Sequence, residues 1–325
     1  MSSPRPAPTL LSLSLTLWVA AALAGGAVGE AAEESAAPPT MADVLAAAGP
    51  ADWMPIDPAE LAVLELQGGG KVLIRLAPEF APLHVANLRT LMTEHYFDGL
   101  AVVRSQENYV VQWADPADPI EAPERRRSLG SARASLPPEF ERPRGELPVT
   151  PLPDGDVYAD EVGFSNGFPV ALDPAGSDPT GGLIWLAHCN AMVGVGRDVS
   201  PASGNGAELY VVIGHAPRHL DRNVTLVGRV VSGMEHLSTL PRGHAGLGFY
   251  EDPAMYVPIR SMRLARELPE AERPHLEVLR TDTPTFEALV ESRRNRREEW
   301  FARPTGRVEL CNVPLPVREA GLGAR

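Results

Sequence analysis

Apolar and polar positions change period several times along this chain. In "LAVLELQ" (61–67) and again in "KVLIRLA" (71–77) they alternate, the two-residue repeat of a strand. Gly68, Gly69 and Gly70 separate the two runs and predict a hairpin. The repeat then lengthens. Phe80, Val85, Leu88, Leu91 and Met92 fall on roughly one face of a helix that Pro78 opens, with Glu79 suited to its positive end and Asp98-Gly99 closing the segment. "AVVRSQENYVVQWADP" (101–116) is strand-like again. Alternation from Tyr109 sets Tyr109, Val111 and Trp113 on one face and Val110, Gln112 and Ala114 on the other. Gln112 thus shares a face with small apolar residues, where a polar group needs a partner or a job.

From 116 to about 180 the periodicity is lost. "PERRRSLGSARASLPPEFERPRGELPVTPLPDG" is Pro- and Arg-rich and reads as a long, partly ordered surface excursion. Acidic residues interleave with its arginines, which favours a solvated loop over a binding patch. Short β-rich runs bounded by Gly, Pro or Asn return at 182–189, 207–214 and 224–233, followed by a short helix at 233–241 and a last strand at 255–266. Many short strands with two helices predict a mainly-β fold, a closed antiparallel barrel with helices over its open ends. The barrel is expected over 59–266. A C-terminal extension follows (267–325), in which 283–302 reads as a capped amphipathic helix, taken as a tail packed on the barrel rather than a partner-binding helix. Residues 30–58 are rich in Ala, Pro and acid and read as a linker with one short helix near 41–48. The glycines before Lys71 lack a GxxxxGK[ST] frame, and "GVG" at 194–196 has no βαβ unit around it, so neither supports a nucleotide loop.

At the N-terminus Arg5 precedes an apolar run from Leu10 to Ala24 and then small residues to Gly29. This layout predicts a signal peptide over 1–29. The run is shorter than the ~20 residues of a spanning helix, so an uncleaved anchor is the less favoured alternative. The expectation is an exported protein of a bacterial periplasm, with no membrane span after signal removal. Of the 29 basic residues only Lys71 is lysine, a usage that points to a GC-rich genome. The formal net charge of -13 argues against a nucleic-acid partner. Cys189 and Cys311 are the two cysteines, and both a disulfide and buried free thiols stay open.

Three blocks in order, "APLHVANLRTLMTEHYFDGLAVVRSQENYVVQWADP", "GNGAELYVVIG" and "APRHLDRNVTLVGRVVSGMEHL", resemble the cyclophilin-type peptidyl-prolyl cis-trans isomerases over about residues 60–265. The resemblance implies an eight-stranded β-barrel capped by two helices, with a groove on its outer face. It places Arg104 on the family's catalytic arginine and Gln112 on the glutamine that holds the peptide. Tyr109 and Tyr210 fall on pocket aromatics and Leu220 on a pocket aliphatic, while Ala187 and His188 fall on the stretch that binds peptide backbone. Val110 stands for the family's pocket methionine, Glu208 for its late glutamine, His219 for its pocket-rim tryptophan and Val224 for its pocket histidine.

Elementary chemistry gives these residues a task. An X-Pro bond isomerises over a barrier of ~18–20 kcal/mol because amide resonance is lost in the twisted state. No covalent step, metal or nucleotide is required, so no cofactor is expected. An arginine, always charged and rigidly forked, can donate to the prolyl nitrogen once resonance is broken and so favours the twisted state over both ground states. The expected partners are proline-containing polypeptides. Two functions follow: an isomerase acting on exported proteins, or a catalytically weak module that binds Pro-containing segments as a chaperone or scaffold.

Overall fold

The glycine run at 68–70 turns the chain back on itself in the computed structural model, which describes residues 38–117, 123–174, 181–296 and 298–321. The predicted signal peptide lies outside the described residues. Helix α1 (Met41–Ala47) and strand β1 (Trp53–Pro55) precede the hairpin of β2 (Leu61–Leu66) and β3 (Lys71–Leu76). Helix α2 (Pro82–Thr93), β4 (Ala101–Ser105) and β5 (Val110–Ala114) follow. Then come β6 (Arg142–Pro143), β7 (Thr150–Pro151), β8 (Glu161–Ser165), β9 (Phe168–Asp173) and β10 (Leu183–Leu186). The chain continues through β11 (Met192–Val195), β12 (Leu209–Val212), β13 (Leu226–Ser232), α3 (Glu235–Ser238) and β14 (Val257–Leu264). It ends with β15 (Leu276–Leu279), α4 (Pro284–Arg294) and β16 (Val317–Glu319).

Eight strands close an antiparallel barrel in the order β11-β12-β5-β4-β14-β2-β3-β13, the mainly-β fold expected. Its interior holds Leu64, Ile74, Val111, Trp113, Val193, Val211 and Met262, all at 0% exposure, and each such side chain contributes about 1.5–3 kcal/mol through burial. The two capping helices add to the same core, α2 through Val85, Leu88, Leu91 and Met92 and α3 through Leu237. Helix α2 starts at Pro82, four residues after the predicted start, because Pro82 occupies the first turn and residues 78–80 form a turn of their own.

The first hairpin is apolar almost without a break because both of its faces are covered. Ala62, Leu64 and Leu66 point into the barrel, while Leu61, Val63 and Leu73 pack outward against a three-stranded sheet of order β1-β15-β16. Residues 38–58 are therefore not a linker throughout. Thr40 and Asp43 form a capping box on α1, α1 packs against α4, and β1 pairs with β15.

The excursion is also built differently from its reading. It carries β6 to β9, which join β10 in a five-stranded sheet of order β6-β10-β9-β8-β7. "GLIWLAHC" supplies β10 of this sheet and not a barrel strand; the barrel takes "MVGV" at β11 instead. The β8–β9 turn is Asn166-Gly167, with φ of 48° and 79°, the left-handed pair that a two-residue hairpin requires. A second core forms between this sheet and the tail: Phe164 meets Phe286 of α4 edge-on at 5.0 Å, with Trp185, Leu289, Leu310 and Val44 around them. The tail thus packs on both bodies: β15 and β16 lie on the barrel's first hairpin, and α4 with Leu310 lies on the second sheet. Cys189 and Cys311 form a disulfide with Cα atoms 5.0 Å apart, which ties the turn after β10 to the tail.

Candidate active site

Strand register places four residues in one row across the outside of the barrel. Arg104 of β4 pairs with Gln112 of β5, Gln112 with Tyr210 of β12, and Tyr210 with Gly194 of β11. Partners in such a row share a face, and their neighbours Val111, Trp113, Leu209 and Val211 fill the interior. Gln112 is polar because its side of β5 forms this outer row.

Arg104 is half-buried and braced on three sides. Its Nη1 donates to Gln112 Oε1 at 3.0 Å, its Nε to the Leu247 carbonyl at 2.6 Å, and its Nη2 to Gln106 Oε1. The guanidinium lies 5.6 Å from the Tyr109 ring centre and 5.3 Å from that of Phe249. Burial holds it below the usual arginine value, opposed by Tyr109 and Tyr210. Three of its five N–H groups serve these acceptors, so Nη1 and Nη2 each have a further N–H to offer. The Leu247 carbonyl is presented by a tight turn in which Leu247 itself has a φ of 60° and Gly248 lies so close to Gln106 that an added Cβ would sit 2.6 Å from its backbone.

Beside Arg104 lies a small apolar cluster, the candidate pocket of the site. Val110, Tyr210 and Val212 form it, with Tyr109 and Val224 packed against them. Tyr109 breaks the alternation expected of it: Asn108, at a φ of 53°, begins the strand one residue late and sends Tyr109 to the outer face. There its ring lies parallel to that of His219, with centres 6.2 Å apart, and Leu220 is half-buried in the same turn as His219. Gly194 makes room for the Tyr210 ring, since a Cβ there would meet the ring at 2.2 Å.

The groove runs on past Gln112. Gln112 Nε2 donates to Glu208 Oε2 at 3.4 Å, and Arg126 of the excursion pairs with Glu208 at 3.0 Å. A cleft of about 410 Å³ opens beside Glu208, lined by Arg126, Gly196, Arg197 and Asn205 among others. The backbone beside Glu208 belongs to Gly196, whose N–H donates to the Glu208 carbonyl at 2.8 Å.

The family model for cyclophilin type peptidyl-prolyl cis-trans isomerases matches residues 61–264. The chain belongs to this family. A solved cyclophilin, AquaCyp293 from Hirschia baltica, is 26% identical with a TM-score of 0.65 and covers 82% of this chain and 92% of its own. A cyclophilin type isomerase of Cryptosporidium parvum, solved in the presence of the dipeptide Ala-Pro, is 10% identical with a TM-score of 0.39, covering 63% of this chain and 98% of its own. Among curated proteins none matches significantly.

Within this cyclophilin-type barrel, Arg104, Gln112, Tyr109, Val110, Glu208, Tyr210, His219 and Leu220 are brought to one side, around the pocket and the adjoining groove. Ala187 and His188 are not groove residues. Both are at 0% exposure, and they follow a strand of the second sheet rather than one of the barrel. The edge beside Glu208 is formed by Gly196 and Arg197 instead. His188 lies behind the pocket, where its Nε2 is 2.8 Å from the Tyr210 hydroxyl. The sequence reading missed Gly194, Leu247 and Phe249. For Gly194 a signal existed, because a glycine inside a strand marks close approach of a neighbour. For the 247–249 turn the spacing Gly246, Gly248 was the available hint.

Proposed function

We propose that this protein is a peptidyl-prolyl cis-trans isomerase of exported polypeptides, with Arg104 stabilising the twisted amide. The observation that carries the reading is a half-buried guanidinium, fixed by Gln112, Gln106 and the Leu247 carbonyl, beside an apolar cluster of two tyrosines and three valines. The pocket of Tyr109, Val110, Tyr210 and Val224 grips the proline ring. Gln112 anchors the peptide backbone and orients Arg104, whose remaining N–H groups point to the prolyl nitrogen. Rotation breaks amide conjugation and leaves a lone pair on that nitrogen, and a pre-fixed donor stabilises it without reorganising. Export is supported by the signal-like layout of residues 1–29, and a reporter enzyme active only outside the cytoplasm, fused after Gly29, tests it.

The isomerase reading is tested by exchange NMR on an Ala-Pro-Phe peptide. Wild-type protein is expected to give cis–trans exchange cross-peaks, and Arg104→Ala to lower the exchange rate about 10²-fold or more, the usual effect of removing one pre-organised donor. Equal rates for the two proteins refute the mechanism.

One observation favours a second reading, a module that binds Pro-containing segments without turning them over. Valine at 110 and 224 leaves fewer side-chain atoms on the proline ring than the methionine and histidine the family carries there. This reading predicts peptide shifts on titration with exchange no faster than background, so the same spectra separate the two.

A further inference from the structure

Behind the pocket runs a chain of buried polar groups that meets the pocket at Tyr210 and at the turn carrying His219 and Leu220. The Tyr210 hydroxyl lies 2.8 Å from His188 Nε2. His188 Nδ1 lies 2.8 Å from Asp221 Oδ1, which also accepts the His188 backbone N–H at 2.9 Å. Asp221 Oδ2 accepts from Arg218 Nε at 2.6 Å, and Arg218 reaches with both Nη atoms to Asp156 of the excursion, at 2.8 and 3.2 Å. His188 is at 0% exposure, Arg218 at 3% and Asp221 at 9%.

The protonation pattern follows from the partners. Burial works to raise the Asp221 carboxyl, but the bond from His188 and the Arg218 charge outweigh it and hold Asp221 ionised. Ionised Asp221 can only accept, so His188 carries its proton on Nδ1 and Nε2 accepts from the Tyr210 hydroxyl.

The same carboxylate governs both sides of the pocket. Through His188 it fixes the Tyr210 ring. Through Arg218 it closes the turn Arg218–Leu220 that carries His219 and Leu220, whose end is further tied by the Asp221 N–H to the Arg218 carbonyl at 2.9 Å. A phenylalanine at 210 would supply the same apolar ring, so the hydroxyl adds orientation rather than area.

We propose that His188, with Asp221, Arg218 and Asp156, forms a positioning relay that sets the Tyr210 and His219–Leu220 walls of the proline pocket; what the pocket holds rests on the function proposed above. The excursion and the pocket are thereby coupled through Asp156.

Three variants test the relay. Tyr210→Phe removes the hydroxyl alone. His188→Asn keeps a donor near Asp221 but cannot reach Tyr210. His188→Gln places an acceptor near the former Nε2 and serves as the conservative rescue. Aromatic NMR of the ligand-free protein reads the Tyr210 ring-flip rate and the His219 and Leu220 resonances, and titration with Ala-Pro-Phe reads affinity. Loss of one hydrogen bond is expected to raise the peptide Kd and KM roughly three- to tenfold in Tyr210→Phe and His188→Asn, with kcat within about twofold because Arg104 is untouched. His188→Gln restores the acceptor for Tyr210 but not the donor to Asp221 and is expected to fall between His188→Asn and wild type, and the double variant Tyr210→Phe/His188→Asn to be no weaker than either single one.

Variants that remain folded with unchanged ring flipping, unchanged 219–220 resonances and unchanged Kd overturn the relay, whatever their melting temperatures. If wild-type protein binds no proline peptide, the proposed function falls, while ring flipping and the 219–220 resonances still decide the relay.

Discussion

At the scale of single residues the site depends on groups that are polar where a plain barrel would be apolar. Gln112 was legible as such from the sequence, because alternation put it beside Val110 and Ala114 and left its polarity unexplained. Alternation alone puts Tyr109 on the face of Val111 and Trp113, and the structure puts it on the other, because the left-handed Asn108 is a tertiary feature that a period of two does not contain. His188 was matched to the groove, but its sequence neighbours belong to a sheet that its own run of residues did not announce. Its true place yields a pH prediction. Burial pushes the His188 imidazole below its usual value, with Asp221 acting against this and Arg218 and His219 reinforcing it. A folded-state value below the unfolded one, about 6.5, means that the unfolded chain takes up the proton first as pH falls. Stability is therefore expected to decline with acidification below about pH 6.5, down through the depressed folded value. Denaturant melts across pH 4.5 to 7.5 should show this slope in wild type and a shallower one in His188→Gln. Equal slopes would mean that His188 titrates normally.

At the scale of elements, strands that pair within the barrel were legible and strands that serve the second sheet were not. β2 and β3 announce themselves by pattern and by the glycines between them. β6 and β7 are two residues each, below any period that a pattern can reveal, and they exist only because β10 and β8 offer open edges. The Asn166-Gly167 turn was readable by the rule that flags such dipeptides between apolar runs, and the Pro- and Arg-rich surroundings obscured it. Covering the barrel with these elements has a cost at one place. Arg75 of β3 and Arg229 of β13 are register partners, at 5% and 8% exposure, beneath the β8–β9 hairpin and the tail. Arg75 donates to the Asn166 carbonyl and Arg229 to the Leu315 carbonyl, while Nε of both and Nη2 of Arg229 have no hydrogen-bond partner among the described residues. Burial and the like charge of Arg75 push the Arg229 guanidinium down to about 10. Two buried like charges without a bonded carboxylate are unfavourable, and a methionine of similar length removes one of them. Arg229→Met is expected to stabilise the fold by about 1–4 kcal/mol in denaturant unfolding. A destabilised variant would show instead that the bond to Leu315 outweighs the charge.

At the scale of the whole molecule, the barrel is held from outside by parts that lie beyond its own strands. The excursion reaches the pocket through Asp156 and Glu208 through Arg126, and the tail reaches the turn after β10 through the disulfide. Whether the two cysteines pair was beyond the sequence, because a separation of 122 residues carries no geometry. A cross-link over so long a loop acts mainly on the unfolded chain, restricting conformations it would otherwise gain, and is worth about 2–5 kcal/mol. Replacing both cysteines by alanine, which avoids a stray thiol, is expected to lower the thermal midpoint by roughly 5–15 °C. Wild-type protein melted in reductant should match the double variant, and the variant should be insensitive to reductant. The cross-link also follows His188 directly in sequence, so its loss is expected to loosen the backbone that presents the imidazole to Tyr210 and to weaken proline-peptide binding in the same samples. A lowered midpoint with unchanged peptide affinity would separate the tail from the pocket. An unchanged midpoint would mean that α4, packed through Phe286 and Leu289 on the second sheet, fixes the tail without the covalent bond.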